Sequence, residues 1–148
     1  MHFLRIPGLL ITLMLLSCSQ HTTQSDKEEI EQFLHNNAIS YIESSGVYIH
    51  FEQQGSEIFP TEESTVEISY TATYLNGNVF DKSPDGETVK LNLQDAINGL
   101  SIGLKYVSKG GTVSIYIPPS LGYGANPPFG VRKNAILVYH IHLVDIFG

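Results

Sequence analysis

The sequence predicts an α+β domain: an antiparallel sheet with one short helix laid on its apolar face. Five short runs rich in β-branched and aromatic residues follow Gly46: GVYIHFEQ, TVEISYTATYL, VKLNL, TVSIYI and AILVYHIHLVDIF. Among them only the stretch from about Asp95 to Val107 has helical spacing, with Ile97, Leu100, Leu104 and Val107 three and four apart. A sheet that is apolar on one face needs a cover, and this helix supplies it. With 148 residues, 42% of them apolar, there is enough chain for one domain with its own core.

Composition removes several function classes. A single cysteine excludes an intrachain disulfide, a thiolate zinc site and a C-x-x-C redox pair. A net charge of −7 argues against nucleic acid, whose phosphates call for a basic face. The charge is also uneven. Gln24 to Glu67 holds 10 acidic residues against the one base Lys27, whereas Ile68 to Gly148 holds 5 acidic and 6 basic. The negative charge therefore belongs to the first third of the chain, as a solvated face.

Met1–Ser17 has one base, Arg5, then an apolar run from Leu9 to Leu16 that is too short to span a bilayer. It reads as an export signal. Its end, Leu15-Leu16-Ser17-Cys18, resembles the lipobox of bacterial lipoproteins, which implies cleavage and a lipid on Cys18. Residues 18–45 form an acidic tether and helical arm. Ser19–Ser25 is polar, and Ser25-Asp26-Lys27-Glu28 has capping-box spacing. A helix is expected to follow, with Ile30, Phe33, Leu34, Ala38, Tyr41 and Ile42 as its apolar stripe, docked on the domain or on a second copy.

Residues 46–148 form the globular domain. In its second run Val66, Ile68, Tyr70 and Ala72 alternate with Glu67, Ser69, Thr71 and Thr73, so one face is buried and one wet. Asn76-Gly77 predicts a two-residue type I′ turn before Asn78-Val79-Phe80. In the last run Ile136, Val138, His140 and His142 are expected outside, opposite Leu137, Tyr139, Ile141 and Leu143.

Taken in order, several segments resemble the FKBP-type peptidyl-prolyl isomerases. They are Val66–Leu75 with Asn76-Gly77, then Val79-Phe80-Asp81-Lys82-Ser83; Ala96-Ile97-Asn98-Gly99-Leu100 with Gly103-Leu104; Gly110-Gly111; Ile117-Pro118-Pro119; Leu121-Gly122-Tyr123-Gly124-Ala125; and Asn134-Ala135-Ile136-Leu137-Val138-Tyr139. The resemblance implies a curved antiparallel sheet wrapped around the short helix, and rotation about X–Pro bonds as the activity. It also implies a set of site residues. Tyr70, Phe80, Val89, Ala96, Ile97, Leu100, Val131 and Tyr139 would wall and floor a proline pocket. The Ile97 N–H and the Tyr123 hydroxyl would face peptide carbonyls, and Asp81 would organise the Tyr70 hydroxyl at the rim. By its length and aromatic content the run from Gly122 to Gly130 reads as a pocket flap, with a plain long turn as the alternative. The sequence departs from the family at Leu100, usually Trp; at Ala72, commonly Gly; and at Arg132-Lys133, often Pro-Pro.

The implied partners are proline-containing polypeptide clients, macrolide inhibitors of the family, and a membrane reached through Cys18. No cofactor, metal or nucleic acid is expected. The implied place is the bacterial cell envelope, facing the periplasm or exterior. Two other readings come from the residues. His140-Ile141-His142 puts two imidazoles on one strand face, with His50 as a conceivable third, but two ligands do not make a zinc site. Ser120-Leu121-Gly122 lacks a nucleophile elbow, so serine hydrolysis has no support. The rival to the enzyme is a non-catalytic module of the same fold, an envelope chaperone or accessory lipoprotein that grips peptides without turning them over.

Overall fold

The computed structural model describes residues 18–148, with side chains from residue 24 onward; the expected export signal and the Cys18 side chain lie outside them. The elements run α1 (Cys18–Asn36), β1 (Ile42–Ser44), β2 (Val47–Gln53), β3 (Thr65–Tyr74), β4 (Val79–Lys82), β5 (Val89–Asn92), α2 (Asn98–Leu104), β6 (Thr112–Ile117) and β7 (Leu137–Phe147). A single 3₁₀ turn spans Pro119–Leu121. All seven strands form one antiparallel sheet in the order β1-β2-β6-β7-β3-β4, with β5 also paired to β3.

The inner face of the sheet carries the core. Val47, Ile49, Val66, Ile68, Ala72, Val113, Ile115, Ile117, Tyr139, Ile141 and Leu143 pack there with Leu100 and Leu104 of α2. The helix sits unusually close to β6 because two positions four apart, on one helical face, are glycine. A Cβ at Gly99 would overlap the Ile117 side chain, and one at Gly103 would come within 2.7 Å of Ile115 Cδ1. The helix is shorter than its apolar spacing predicts. Ile97 is extended (φ −58°, ψ 146°) and stands just outside it, while Tyr106 and Val107 close the other end by donating to Gly103 and Leu104. Ile97 and Val107 share the apolar spacing without sharing the helix.

The outer face is apolar at one end, where α1 lies across it. Ile30 and Leu34, both fully buried, meet Tyr48, Tyr116, Ile136 and Val138. Ile136 and Val138 thus do point outward, yet they are covered rather than wet. Farther along the same strand His140 and His142 are exposed.

Three local expectations are corrected. The capping box at Ser25 does not start the arm helix, which is already helical from Cys18, so no separate tether precedes it in the described residues. The helix also stops before the end of its expected stripe. Ile39 N–H donates to Leu34 O at 2.9 Å and Ala38 N–H to His35 O at 3.1 Å, with Ala38 left-handed at φ 54°. This is a Schellman stop, completed by Ile39 packing on the cluster that contains Leu34. Tyr41 and Ile42 are exposed, and Ile42 opens β1. Finally, Asn76-Gly77 makes a three-residue loop and not a type I′ turn. Gly77 N–H donates to Tyr74 O, Tyr74 N–H to Asn78 O, and only Gly77 takes positive φ (83°). A tight two-residue hairpin does occur at Ser45-Gly46, where both φ values are positive (49° and 87°) and Ser44 pairs with Val47.

Candidate functional site

Strands β3, β4, β5 and β7, the lead-in to α2 and the turn after the 3₁₀ segment enclose a cavity of about 250 Å³. Its lining includes Tyr70, Asp81, Val89, Ala96, Ile97, Leu100, Tyr123 and Tyr139, a bowl of aromatic and aliphatic side chains with polar groups among them. Ile68, Lys90, Leu91 and Asp95 complete it. Ile68 and Leu91 were legible by period two, since each lies two residues from a lining neighbour, Tyr70 and Val89. Nothing in the sequence pattern marks Lys90 or Asp95.

Local backbone geometry brings Asp81 to this edge. Ala72 pairs with Asp81 but Thr73 pairs with Val79, so Phe80 is an extra residue in β4. A bulge of this kind re-aims side chains. Consecutive residues, which a regular strand would send to opposite faces, here both serve the cavity side. Asp81 lines the cavity, and Phe80 packs edge-on against Tyr139 with centroids 6.0 Å apart. Phe80 is not among the lining side chains; it buttresses Tyr139 and stacks on Tyr74 at 4.9 Å.

Val131 is not part of the lining. The loop that bears it closes on itself, through Val131 N–H to Pro128 O and Asn134 N–H to Gly124 O, and carries Phe129 fully exposed. From the run Gly122–Gly130 only Tyr123 reaches the cavity, so the expected flap reduces to one phenol.

The polar groups are few and oriented. The Tyr70 hydroxyl donates to Asp81 Oδ2 at 2.7 Å, and Asp81 Oδ1 accepts the Lys82 N–H at 2.9 Å. Burial, followed by the hydrogen bond to Asp81 and its charge, holds the Tyr70 phenol well above the usual tyrosine range. Tyr139 is pushed up too, first by burial and then by the neighbouring Tyr123, Asp81 and Tyr70. Both phenols thus remain neutral donors at any physiological pH. The Ile97 N–H donates to no group among the described residues, although Ile97 lines the cavity. The bowl contains no activated nucleophile, so what it can do is desolvate a flat, apolar group and present donors to carbonyl oxygens around it.

The histidines weighed above against a metal site each have other partners. Ser114 Oγ lies 2.6 Å from His140 Nδ1 and donates to Glu52, His142 Nδ1 lies 3.2 Å from Thr112 Oγ1, and His50 Nδ1 donates to Ser40 O. Among the described residues no three His, Cys, Asp or Glu side chains gather as a metal site.

Comparison with known proteins converges on the same strands. The family model described as FKBP-type peptidyl-prolyl cis-trans isomerase matches residues 56–144. FkpA of Buchnera aphidicola from Schizaphis graminum is 34% identical over 131 residues, covering 83% of this chain and 52% of that protein. FkpA of Escherichia coli K12 is 32% identical over 121 residues, covering 81% and 44%. The chain thus spans about half the length of these curated relatives. The crystal structure of E. coli FkpA superposes with a TM-score of 0.73 at 31% identity, over 86% of this chain and 60% of that one. A peptidyl-prolyl isomerase from Pseudomonas syringae shares the fold, with a TM-score of 0.72 at 21% identity over 85% and 96%. Since the matched span contains every residue that lines the cavity, the chain belongs to the FKBP-type peptidyl-prolyl cis-trans isomerase family.

Proposed function

We propose that the chain catalyses cis–trans rotation about X–Pro bonds in polypeptide clients at this cavity, and does so in the bacterial cell envelope, held to a membrane by a lipid on Cys18. The observation that carries the catalytic reading is the pairing of Tyr70 with Asp81 on the rim of a bowl that Val89, Ala96, Ile97, Leu100 and Tyr139 also line. Rotation must cross a barrier of about 18–20 kcal/mol set by amide resonance, and it needs no covalent chemistry. The planar amide is the more dipolar form. Enclosure by Val89, Ile97, Leu100 and Tyr139 strips it of water and disfavours it relative to the twisted state. Donors fixed in place add selective stabilisation of the twisted form. The Ile97 N–H and the Tyr123 hydroxyl are suited to the flanking carbonyls. The Asp81 carboxylate, held by Tyr70, biases the field at the rotating one.

The lipid reading is supported by the sequence around Cys18, the only cysteine. No helix of the described residues is long and apolar enough to cross a membrane. Two measurements test the proposal. The purified protein should accelerate proline-limited relaxation of peptides with several residues before Pro; no acceleration at any concentration would refute catalysis. Metabolic labelling with a fatty acid should mark the wild type and not Cys18→Ser, which should also leave the membrane fraction. Label retained by the variant would refute the anchor.

A further inference from the structure

Tyr74 lines no wall of the cavity, yet it touches both of the segments that carry its polar edge. On one side its ring stacks on Phe80, the residue before Asp81, at 4.9 Å. On the other its hydroxyl accepts the Arg132 N–H at 2.9 Å, and the Arg132 guanidinium carbon stands 4.4 Å from the ring centroid. We infer that Tyr74 is a positioning residue, whose hydroxyl sets the loop 124–134, and with it Tyr123, against the strand that presents Asp81.

The hydrogen-bond pattern singles out this contact. Loop 124–134 is well tied to itself: Asn134 N–H donates to Gly124 O at 2.8 Å, so the residue after Tyr123 moves with the residue before Ala135. Among the described residues the Arg132–Tyr74 bond is the one hydrogen bond that joins this loop to another element. Packing offers little else there. Arg132, Lys133 and Asn134 are exposed, and a cleft of about 310 Å³ separates them from Asp26 and Glu29 of α1, with no ion pair across it in the described residues. The donor also depends on residue type, because a proline at 132 has no N–H to give. The arginine side chain also lies over the ring its backbone is anchored to, a cation–π contact separate from the hydrogen bond.

If the loop samples a detached state, client affinity falls by the fraction of molecules still attached, while the bound complex turns over unchanged. This rests on the isomerase reading of the cavity, so the test has two arms. Tyr74→Phe keeps the stacked ring and deletes the acceptor. Losing one such bond is expected to lower the exchange protection of the Arg132 amide by about five-fold, and to raise KM for a proline peptide only as the attached fraction falls, by at most that factor, with kcat retained. Arg132→Ala, at an exposed position that cannot unfold the core, keeps the N–H and is expected to retain amide protection within about two-fold. Unchanged protection in Tyr74→Phe, a fall in kcat at constant KM, or lost protection in Arg132→Ala would each overturn the assignment. An inactive wild type would defeat the isomerase reading alone; protection and proline-peptide affinity, both measurable without turnover, would still decide the role of Tyr74.

Discussion

Tyr70 reaches diagonally across the sheet to bond Asp81 at 2.7 Å, although the strand register pairs Asp81 with Ala72 and not with Tyr70. The diagonal is within reach of a tyrosine but of few shorter side chains. It makes the Asp81 orientation depend on both the bulge at Phe80 and the phenol length. Asp81→Val removes the acceptor from an exposed edge, so kcat/KM should fall by about ten-fold while the thermal midpoint moves by no more than a few degrees. Tyr123→Phe should act in the same direction and more mildly, by about three-fold. Isomerisation assays paired with thermal melts check both; an unfolded variant would mean the residue is core.

Leu100 offers a test of catalysis against mere gripping. It is buried at the base of the cavity, where the family usually has Trp. Leu100→Trp should bind a macrolide inhibitor of the family more tightly and keep or raise the isomerisation rate, at an overpacking cost of about 1–3 kcal/mol. A folded variant that is inactive like its parent and blind to the inhibitor would favour the non-catalytic module.

Ala38 stops α1 in a left-handed conformation that disfavours a side chain. Ala38→Gly should stabilise the fold by about 0.5–1 kcal/mol and raise the melting temperature by about 2–5 °C. Calorimetry of the two proteins checks this, and a lower midpoint would show that the Ala38 methyl is packed and needed.

Alkaline pH should unfold the protein through its phenols. Burial raises Tyr48, Tyr70, Tyr116 and Tyr139 above their ordinary range in the fold. A group whose folded pKa is raised stabilises the fold fully below its unfolded value, near pH 10 for tyrosine, and loses that contribution as pH rises through the folded value. Stability should thus be flat to about pH 10 and then decline. In a spectrophotometric titration four of the 8 tyrosines should ionise only with unfolding, measured by the 295 nm band against circular dichroism. Ionisation of all eight in a folded protein would contradict it.

How far the sequence alone carries can be traced residue by residue. Alternation made the inner face of β3 readable, and three-four spacing made Leu100 and Leu104 readable, because both patterns report burial directly. Ile136, just before β7, and Val138 in it were assigned the right side and the wrong exposure, since alternation cannot tell what a distant helix will cover. Ala38 concealed a helix stop that a glycine would have announced. The bulge at Phe80 left no mark because it is a property of the pairing between two strands; Phe80 was placed in the pocket by resemblance, and in the structure it packs on Tyr139 and Tyr74. Val131 was placed in the pocket by resemblance and is not among the residues that line it.

The close seating of α2 on β6 has a consequence for how such a site diversifies. With Gly99 and Gly103 resting against Ile117 and Ile115, the distance from helix to sheet is set by backbone, and any larger residue at either position would push the helix off. The depth of the bowl is therefore a fixed dimension of the scaffold. Divergence in client choice is left to the rim, which can vary without renegotiating the core beneath it, and at some packing cost to Leu100, which belongs to that core.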